Sequence, residues 1–341
     1  MLNHVYRLVS AKQFEVALIE ENLKEGQVVV RPKLLSLCHA DQRYYAFQRS
    51  PEVLAKKIPM ALIHEGMGTV VESKSPEFNP GDEVIIVPTT PVEHSDTIAE
   101  NYLPSSKFRS SGFDGLMQEY VISDAERVVK LPTDFDSEVA AFTEMISVGY
   151  QAATRLLRVA GPDRESVGIW GDGNVSYMTA AILHVLLPEM KIYVFGHHDY
   201  KLSYYSFATK TYVTDAIPDD LELSMAVEAT GGNGSHDAIS QIIDHIKPEG
   251  SVVLMGVSEN EIPVNTRMIL EKGLTLIGSS RSTKQDFEDV VKLLSGKDEL
   301  LEEMRLLVSL KVPVTSVEDA IAAFEADNSN GWGKTIMEWK V

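Results

Sequence analysis

The chain has 341 residues, enough for about two domains and a substantial core without disulfide staples. A formal charge of −19 offers no basic face for a phosphate backbone, so nucleic-acid partners are not expected. No apolar run approaches the ~20 residues of a membrane span, the N-terminus lacks the basic-then-apolar pattern of a signal peptide, and a single cysteine fits a reducing cytoplasm. Membrane insertion is therefore not expected either.

The first part of the chain is β-rich. Phe14 to Leu18 alternates, and the runs Gln27 to Pro32 and Gly68 to Glu72 are short, apolar and bounded by turn residues. Asn79-Pro80-Gly81-Asp82 is turn chemistry leading into the strand Glu83 to Val87. Many short strands with turns between them point to a barrel-like all-β unit. From about Thr89 to Gly112 the sequence is polar and weakly periodic, which predicts a long loop or lobe.

After Glu144 the pattern changes. Six apolar strands, Ser166 to Trp170, Lys191 to Phe195, Thr211 to Val213, Ser224 to Glu228, Ser251 to Met255 and Leu274 to Gly278, alternate with helical stretches. The helical candidates are Ala180 to Leu187, Asp237 to Ile246 and Arg267 to Lys272. That alternation predicts an α/β doubly wound parallel sheet. The tail is mixed: Ser316 to Asp319 caps an amphipathic run, and Lys334 to Trp339 reads as a strand. The expected organisation is a split first domain, residues 1–147 and 281–341, around an inserted domain of residues 148–280.

The turn Gly171-Asp172-Gly173-Asn174-Val175-Ser176 has dinucleotide-fingerprint spacing, with Ser176 in place of the third glycine. Gly171 permits the tight turn, Gly173 lets the backbone approach a pyrophosphate, and Asn174, Val175 and Ser176 open the helix that would receive it. The second strand ends in Gly196-His197-His198-Asp199-Tyr200-Lys201, without the acid usual for NAD. Gly196 leaves room for a 2′-phosphate that His197, His198 and Lys201 would neutralise, so NADP(H) is expected. In the alternative, Asp199 takes the acid's place and the histidines are loop residues.

Upstream of that turn lie Cys38, the pair His64-Glu65 before a glycine-punctuated apolar run, and Glu144. A thiolate, an imidazole and a carboxylate together suit a catalytic zinc with one open position. Downstream of Cys38, the basic residues Arg43, Arg49, Lys56 and Lys57 form a local cluster in an acidic chain. Arg43 would grip a phosphate, whereas Lys56 and Lys57 are read equally well as a solvated loop.

The whole chain resembles the zinc-dependent medium-chain alcohol/polyol dehydrogenase family. The cues are Cys38-x-x-Asp41, Ile63-His64-Glu65-Gly66, Asn79 to Val84 and Phe113 to Tyr120, with Ile63 replacing the family's glycine. The resemblance implies a GroES-like β-barrel catalytic domain plus a Rossmann cofactor domain, and Cys38, His64, Glu65 and Glu144 around the zinc. One of Glu65 and Glu144 would be a supporting or exchangeable ligand. The four cysteines that many members use for a structural zinc are missing, so one zinc per chain is expected. The usual Ser or Thr proton relay is replaced by Ala40, leaving water, Glu65 or His39 for that role.

Within the family the likeness is to the bacterial branch acting on D-ribulose 5-phosphate, through Cys38 to Tyr45, Thr143 to Tyr150 and Gly171-Asp172-Gly173. It implies NADPH-linked reduction to D-ribitol 5-phosphate, supplying CDP-ribitol for wall teichoic acid alongside a cytidylyltransferase. It also implies a homodimer, and Tyr44 matches a substrate-facing tyrosine. Two other readings stay open: a dehydrogenase of neutral polyols or alcohols, and a non-catalytic NADPH-binding regulatory protein.

Overall fold

The computed structural model describes residues 1–341, which form two compact units. One comprises Met1–Ser147 and Ser282–Val341, the other Val148–Arg281. No helix is long and apolar enough to cross a membrane.

The first unit is built on a seven-stranded sheet. Its path runs Val128–Lys130, Glu83–Ile86, Glu65–Ser73, Gln27–Ser36, Lys334–Trp339 and Val308–Val314, with Val121–Asp124 also paired to Gln27–Ser36. A second sheet holds Gln13–Glu20, Leu2–Ser10 and Met60–Ala61. One apolar core serves both sheets; Val5 and Leu8 of the small sheet join Val28, Val30 and Val70 of the large one. Alternating residues point to opposite faces of a strand, so the short alternating runs can bury one face here and wet the other.

The C-terminal tail belongs to this unit because it completes the sheet. Strand Lys334–Trp339 pairs antiparallel with Gln27–Ser36, placing Ile336 opposite Ser36 and Glu338 opposite Leu34. Ser316 caps helix Val317–Asn328 by accepting from the Asp319 amide. Phe324 on that helix stacks on Tyr45 with ring centroids 4.5 Å apart, and Phe14 closes the trio. Tyr45 donates to Glu325 at 2.8 Å and Gln42 to the Phe324 carbonyl at 2.8 Å. The tail thus clamps the helix His39–Tyr45, which follows the only cysteine.

The stretch expected as a long loop or lobe is pinned at several points. Thr89–Thr90 pairs with Lys107–Phe108, and Glu100–Tyr102 forms a short helical turn. Glu100 accepts from Arg127 at 2.9 Å and from the Lys284 amide at 2.7 Å.

The second unit is a six-stranded sheet with every neighbouring pair parallel. Its order is Lys210–Val213, Lys191–Gly196, Ser166–Trp170, Leu223–Glu228, Ile246–Leu254 and Thr275–Gly278. Helices Asn174–Leu186, Gly234–His245 and Thr266–Lys272 connect them. The central strands Ser166–Trp170 and Leu223–Glu228 are buried at every position, as expected when helices cover both faces of a parallel sheet. Strand order reverses beside Ser166–Trp170, which is where such sheets receive a ligand. Strand Ile246–Leu254 starts five residues before its expected position, and helix Asn174–Leu186 starts directly at the glycine turn.

Candidate active site

In the first unit the metal-competent residues converge. Cys38 stands at the N-terminal edge of helix His39–Tyr45, His64 lies in the bend before strand Glu65–Ser73, and Glu65 opens that strand. Glu144 sits in the first turn of helix Thr143–Val159. Donor atoms of Cys38, His64 and Glu65 all lie within 4.8 Å of one another. His64 Nε2 is 3.9 Å from Glu65 Oε1 and 3.9 Å from Glu144 Oε2.

Zinc–nitrogen and zinc–oxygen bonds near 2.1 Å place tetrahedral neighbours about 3.4 Å apart, so these donors surround a space only slightly wider than the ion requires. The electrostatics fit a cation as well. Burial pushes the Cys38 thiol up, the Glu65 charge adds to that, and His64 only partly offsets it. Burial likewise raises Glu144 to about 7, against the charge of His64. Thiol and carboxyl are both held from ionising by a dry, anionic surrounding, which a bound divalent ion would reverse.

Two residues with no assigned sequence role complete the site. Asp41 is fully buried; its Oδ2 lies 3.4 Å from His64 Nδ1, and its Oδ1 accepts from Ser110 Oγ at 2.7 Å and from the Ile63 amide at 3.1 Å. Burial disfavours charge on His64, but Asp41 and Cys38 outweigh it and hold the imidazole well above its usual pKa. Asp41 thus turns Nδ1 inward and leaves Nε2 for the metal side, the usual role of an acid behind a histidine ligand. The other residue is Lys334, 1% exposed, whose Nζ is 2.9 Å from Glu65 Oε2 and donates to Glu65 Oε1 at 3.1 Å and to the Leu37 carbonyl at 2.6 Å. Asp41 stood in the Cys38-x-x-Asp41 spacing, but nothing in the sequence gave it a place behind His64. Lys334 carried no signal beyond being the first residue of a strand.

Ile63, standing where the family has glycine, adopts φ 69°. A β-branched residue there is a genuine outlier and costs about 1–3 kcal/mol. Three contacts hold it: the Asp41 bond to its amide, the Leu116 amide on its carbonyl at 2.7 Å, and complete burial of the side chain. The segment Gly115 to Met117 runs alongside, and a Cβ on Gly115 would meet the carbonyl oxygens of Leu62 and Ile63 at 2.3 Å. Neither oxygen can move without dragging His64. Gly115→Ala is therefore expected to cost about 1–3 kcal/mol of stability and to lower zinc content at limiting metal, read by chemical denaturation and elemental analysis. Unchanged values for both would refute this coupling.

Of the proposed substrate-binding residues, Tyr44 is buried and receives a hydrogen bond from Lys57 Nζ at 3.0 Å, while Arg43 is half-buried beside it. His39 is exposed.

In the second unit Gly171 has φ 127°, and a Cβ there would strike Ser176 Oγ at 2.5 Å and the Ala229 carbonyl at 2.8 Å. A Cβ on Gly173 would meet nothing within 4 Å, so its surface is open to a ligand. The helix Asn174–Leu186 has no side-chain cap, and Ser176 is buried at its first turn with an unsatisfied Oγ. Uncapped amides at a helix start are a ready site for an anion such as a pyrophosphate. A cavity of about 230 Å³ is lined by Gly171, Asp172, Gly173, Gly196 and His197, together with Thr214, Thr230 and Gly234. Asn174, Val175, Ser176, His198 and Lys201 are not in its wall.

Asp172 was read only as the variable residue of the turn, yet it organises the loop after the second strand. Its Oδ2 accepts from the amides of His197 and His198 at 2.8 and 2.9 Å and contacts His198 Nδ1 at 2.9 Å. Burial raises its pKa, but these bonds more than offset that and keep the carboxylate ionised below its usual range. A Cβ at Gly196 would meet Asp172 Cβ at 2.6 Å, which explains the absence of an acidic side chain there. Glu228, fully buried at the end of its strand, plays the same part for the next loop, accepting from Thr230, Gly231 and Gly256 amides and Ser235 Oγ.

Comparison with known proteins gives a consistent answer. Residues 24–133 match the alcohol dehydrogenase GroES-like domain and residues 137–338 the glucose dehydrogenase C-terminus. The chain is 49% identical to ribulose-5-phosphate reductase 2 of Staphylococcus aureus and 47% identical to ribulose-5-phosphate reductase of Bacillus spizizenii, over all of each chain. The crystal structure of S. aureus TarJ in complex with NADPH superimposes with a TM-score of 0.90 at 43% identity, again covering 100% of both chains. The chain belongs to the medium-chain alcohol dehydrogenase family, in the group that contains the bacterial ribulose-5-phosphate reductases.

Proposed function

We propose that the chain reduces D-ribulose 5-phosphate with NADPH and a proton, giving D-ribitol 5-phosphate and NADP⁺ by hydride transfer to C2. The observation that carries this is the full-length identity of 47–49% to ribulose-5-phosphate reductases, in a chain whose own donors converge on an ion-sized space. Cys38 and His64 would hold a single zinc, with Glu65, which is paired with Lys334, and Glu144 as the carboxylates beside them. When bound, zinc supplies Lewis-acid polarisation of a ketose carbonyl. The residues of the chain do the rest: Asp41 orients His64, Lys334 fixes Glu65, and the Leu62–Ile63 backbone wedged by Gly115 sets the height of the imidazole. His39, exposed on the helix after Cys38, stands as the protein's own candidate for delivering the proton that Ala40 cannot, since Glu65 is paired with Lys334.

The dinucleotide lies on Gly171, Gly173, Asn174, Val175 and Ser176, and its 2′-phosphate is met by His197, His198 and Lys201. Asp172 supports this placement, because its charge is spent on the loop amides and on His198. His198→Ala and Lys201→Ala are each expected to raise KM for NADPH about tenfold while changing KM for NADH by less than about twofold. Equal losses with both cofactors would remove these residues from the 2′-phosphate site. The product, a polyol phosphate, is what a cytidylyltransferase making CDP-ribitol for teichoic acid would consume, and the working unit is a homodimer.

The deciding experiment follows NADPH absorbance with ribulose 5-phosphate, xylulose 5-phosphate, fructose and simple ketones. Preference for ribulose 5-phosphate is expected. Preference for a neutral ketone would transfer the chain to polyol chemistry, and absence of turnover with stoichiometric zinc bound would overturn the enzymatic reading.

A further inference from the structure

We propose that Lys57 and Arg49, both beside the buried ring of Tyr44, form with Arg43, the residue before Tyr44, the subsite for the phosphate group of a phosphorylated ketose. The assignment rests on the functional reading above. Lys57 Nζ donates to Tyr44 Oη at 3.0 Å and to Ser111 Oγ at 2.8 Å, which leaves one of the three ammonium hydrogens to aim elsewhere. The same Nζ is 5.7 Å from the centroid of the Tyr44 ring, and the Arg49 guanidinium is 5.1 Å from it. Arg43 is the preceding residue on the helix that carries Tyr44. Burial and the nearby charge of Arg49 both work against ionisation of Arg43. Lys57 and Arg49 thus bring two cationic groups to one ring, where a phosphate can accept from both. Lys56, by contrast, is exposed and outside the cluster, so the structure separates two lysines that the sequence left equivalent.

Position favours a substrate phosphate. Ser111 follows Ser110, whose Oγ donates to Asp41, and Asp41 in turn stands behind His64. Two adjacent serines thus connect Lys57 to the acid that supports His64. In a 2-keto pentose 5-phosphate only C3 and C4 lie between the carbonyl carbon and the carbon bearing the phosphate. The subsite requires that this short carbon segment span from His64 to Lys57.

The test compares Lys57→Ala and Arg49→Ala with Lys56→Ala, a substitution of equal charge outside the cluster. The first two are expected to lose at least about tenfold more kcat/KM with D-ribulose 5-phosphate than with unphosphorylated D-ribulose, with KM for NADPH unmoved. They are also expected to weaken binding of inorganic phosphate, measured by calorimetry on the full chain. Equal losses with both sugars, effects no larger than those of Lys56→Ala, or a rise in KM for NADPH instead would each overturn the subsite. If the unaltered chain turned over no phosphoketose, the functional reading would fail by itself. Phosphate binding would still decide the subsite, a loss in the two variants supporting it and unchanged or absent binding refuting it.

Discussion

His64→Ala is expected to abolish stoichiometric zinc binding and to lower turnover of the ketose by at least about 10³, while NADPH still binds. The magnitude follows from the several kcal/mol of charge stabilisation that a Lewis-acid metal contributes at a carbonyl. The imidazole is the shared neighbour of the set: its Nε2 lies 3.9 Å from both Glu65 and Glu144, and its Nδ1 lies 3.4 Å from Asp41. Removing it leaves two carboxylates and a thiol without the group that links them. The cofactor turn belongs to the other compact unit, so its binding should survive. Cys38→Ala should behave alike, and chelated parent protein should match both variants in rate. Asp41→Asn, which keeps the shape but weakens the support of His64, should lose zinc affinity about 10–100-fold, the usual cost of a group behind a ligand. Zinc content by elemental analysis and cofactor binding by fluorescence separate these effects. A His64→Ala protein with one zinc per chain and near-parental rate would sink the site.

The parallel sheet was the most legible part of the molecule. Its strands are short apolar runs flanked by turn chemistry, and the signal is strongest in the central pair Ser166–Trp170 and Leu223–Glu228, where both faces are buried. Boundaries slipped where tertiary pairing extends a strand into polar sequence, as at Ile246 to Gly250. The strand Leu2–Ser10 was not read at all, since its burial alternates weakly and one of its buried positions is the polar Asn3. Within the candidate site, Cys38, His64, Glu65 and Glu144 stood out by residue type, because few side chains suit zinc, and the fold brings them near one another. Their supports did not stand out. Asp41 is an ordinary acid until the fold sets it behind His64, and Asp172 an ordinary turn residue until its carboxylate meets two amides of the neighbouring loop. Ile63 shows the opposite failure: a residue that looks like a departure from the glycine pattern keeps the glycine-type conformation, because burial and hydrogen bonds on both sides hold it there.

The least legible partner was Lys334, 269 residues from Glu65, and it yields the second large effect. Lys334→Met is expected to destabilise the chain by about 3–5 kcal/mol, since it strands a buried carboxylate without its counter-charge. Both members of the pair are essentially inaccessible, at 1% and 0% exposure, so water cannot make up the loss. The methionine fills most of the space of the lysine stem, which keeps cavity formation a minor part of the cost. Adding Glu65→Gln should recover much of the stability, because a neutral pair of similar volume removes the unpaired charge rather than the shape. The two single variants and the double variant, unfolded in urea at neutral pH, form the cycle that measures this coupling. Additive losses would mean that Lys334 acts through packing and its bond to the Leu37 carbonyl alone. Recovery in the double variant would show that Lys334, on the last strand of the chain, acts as the counter-charge of Glu65.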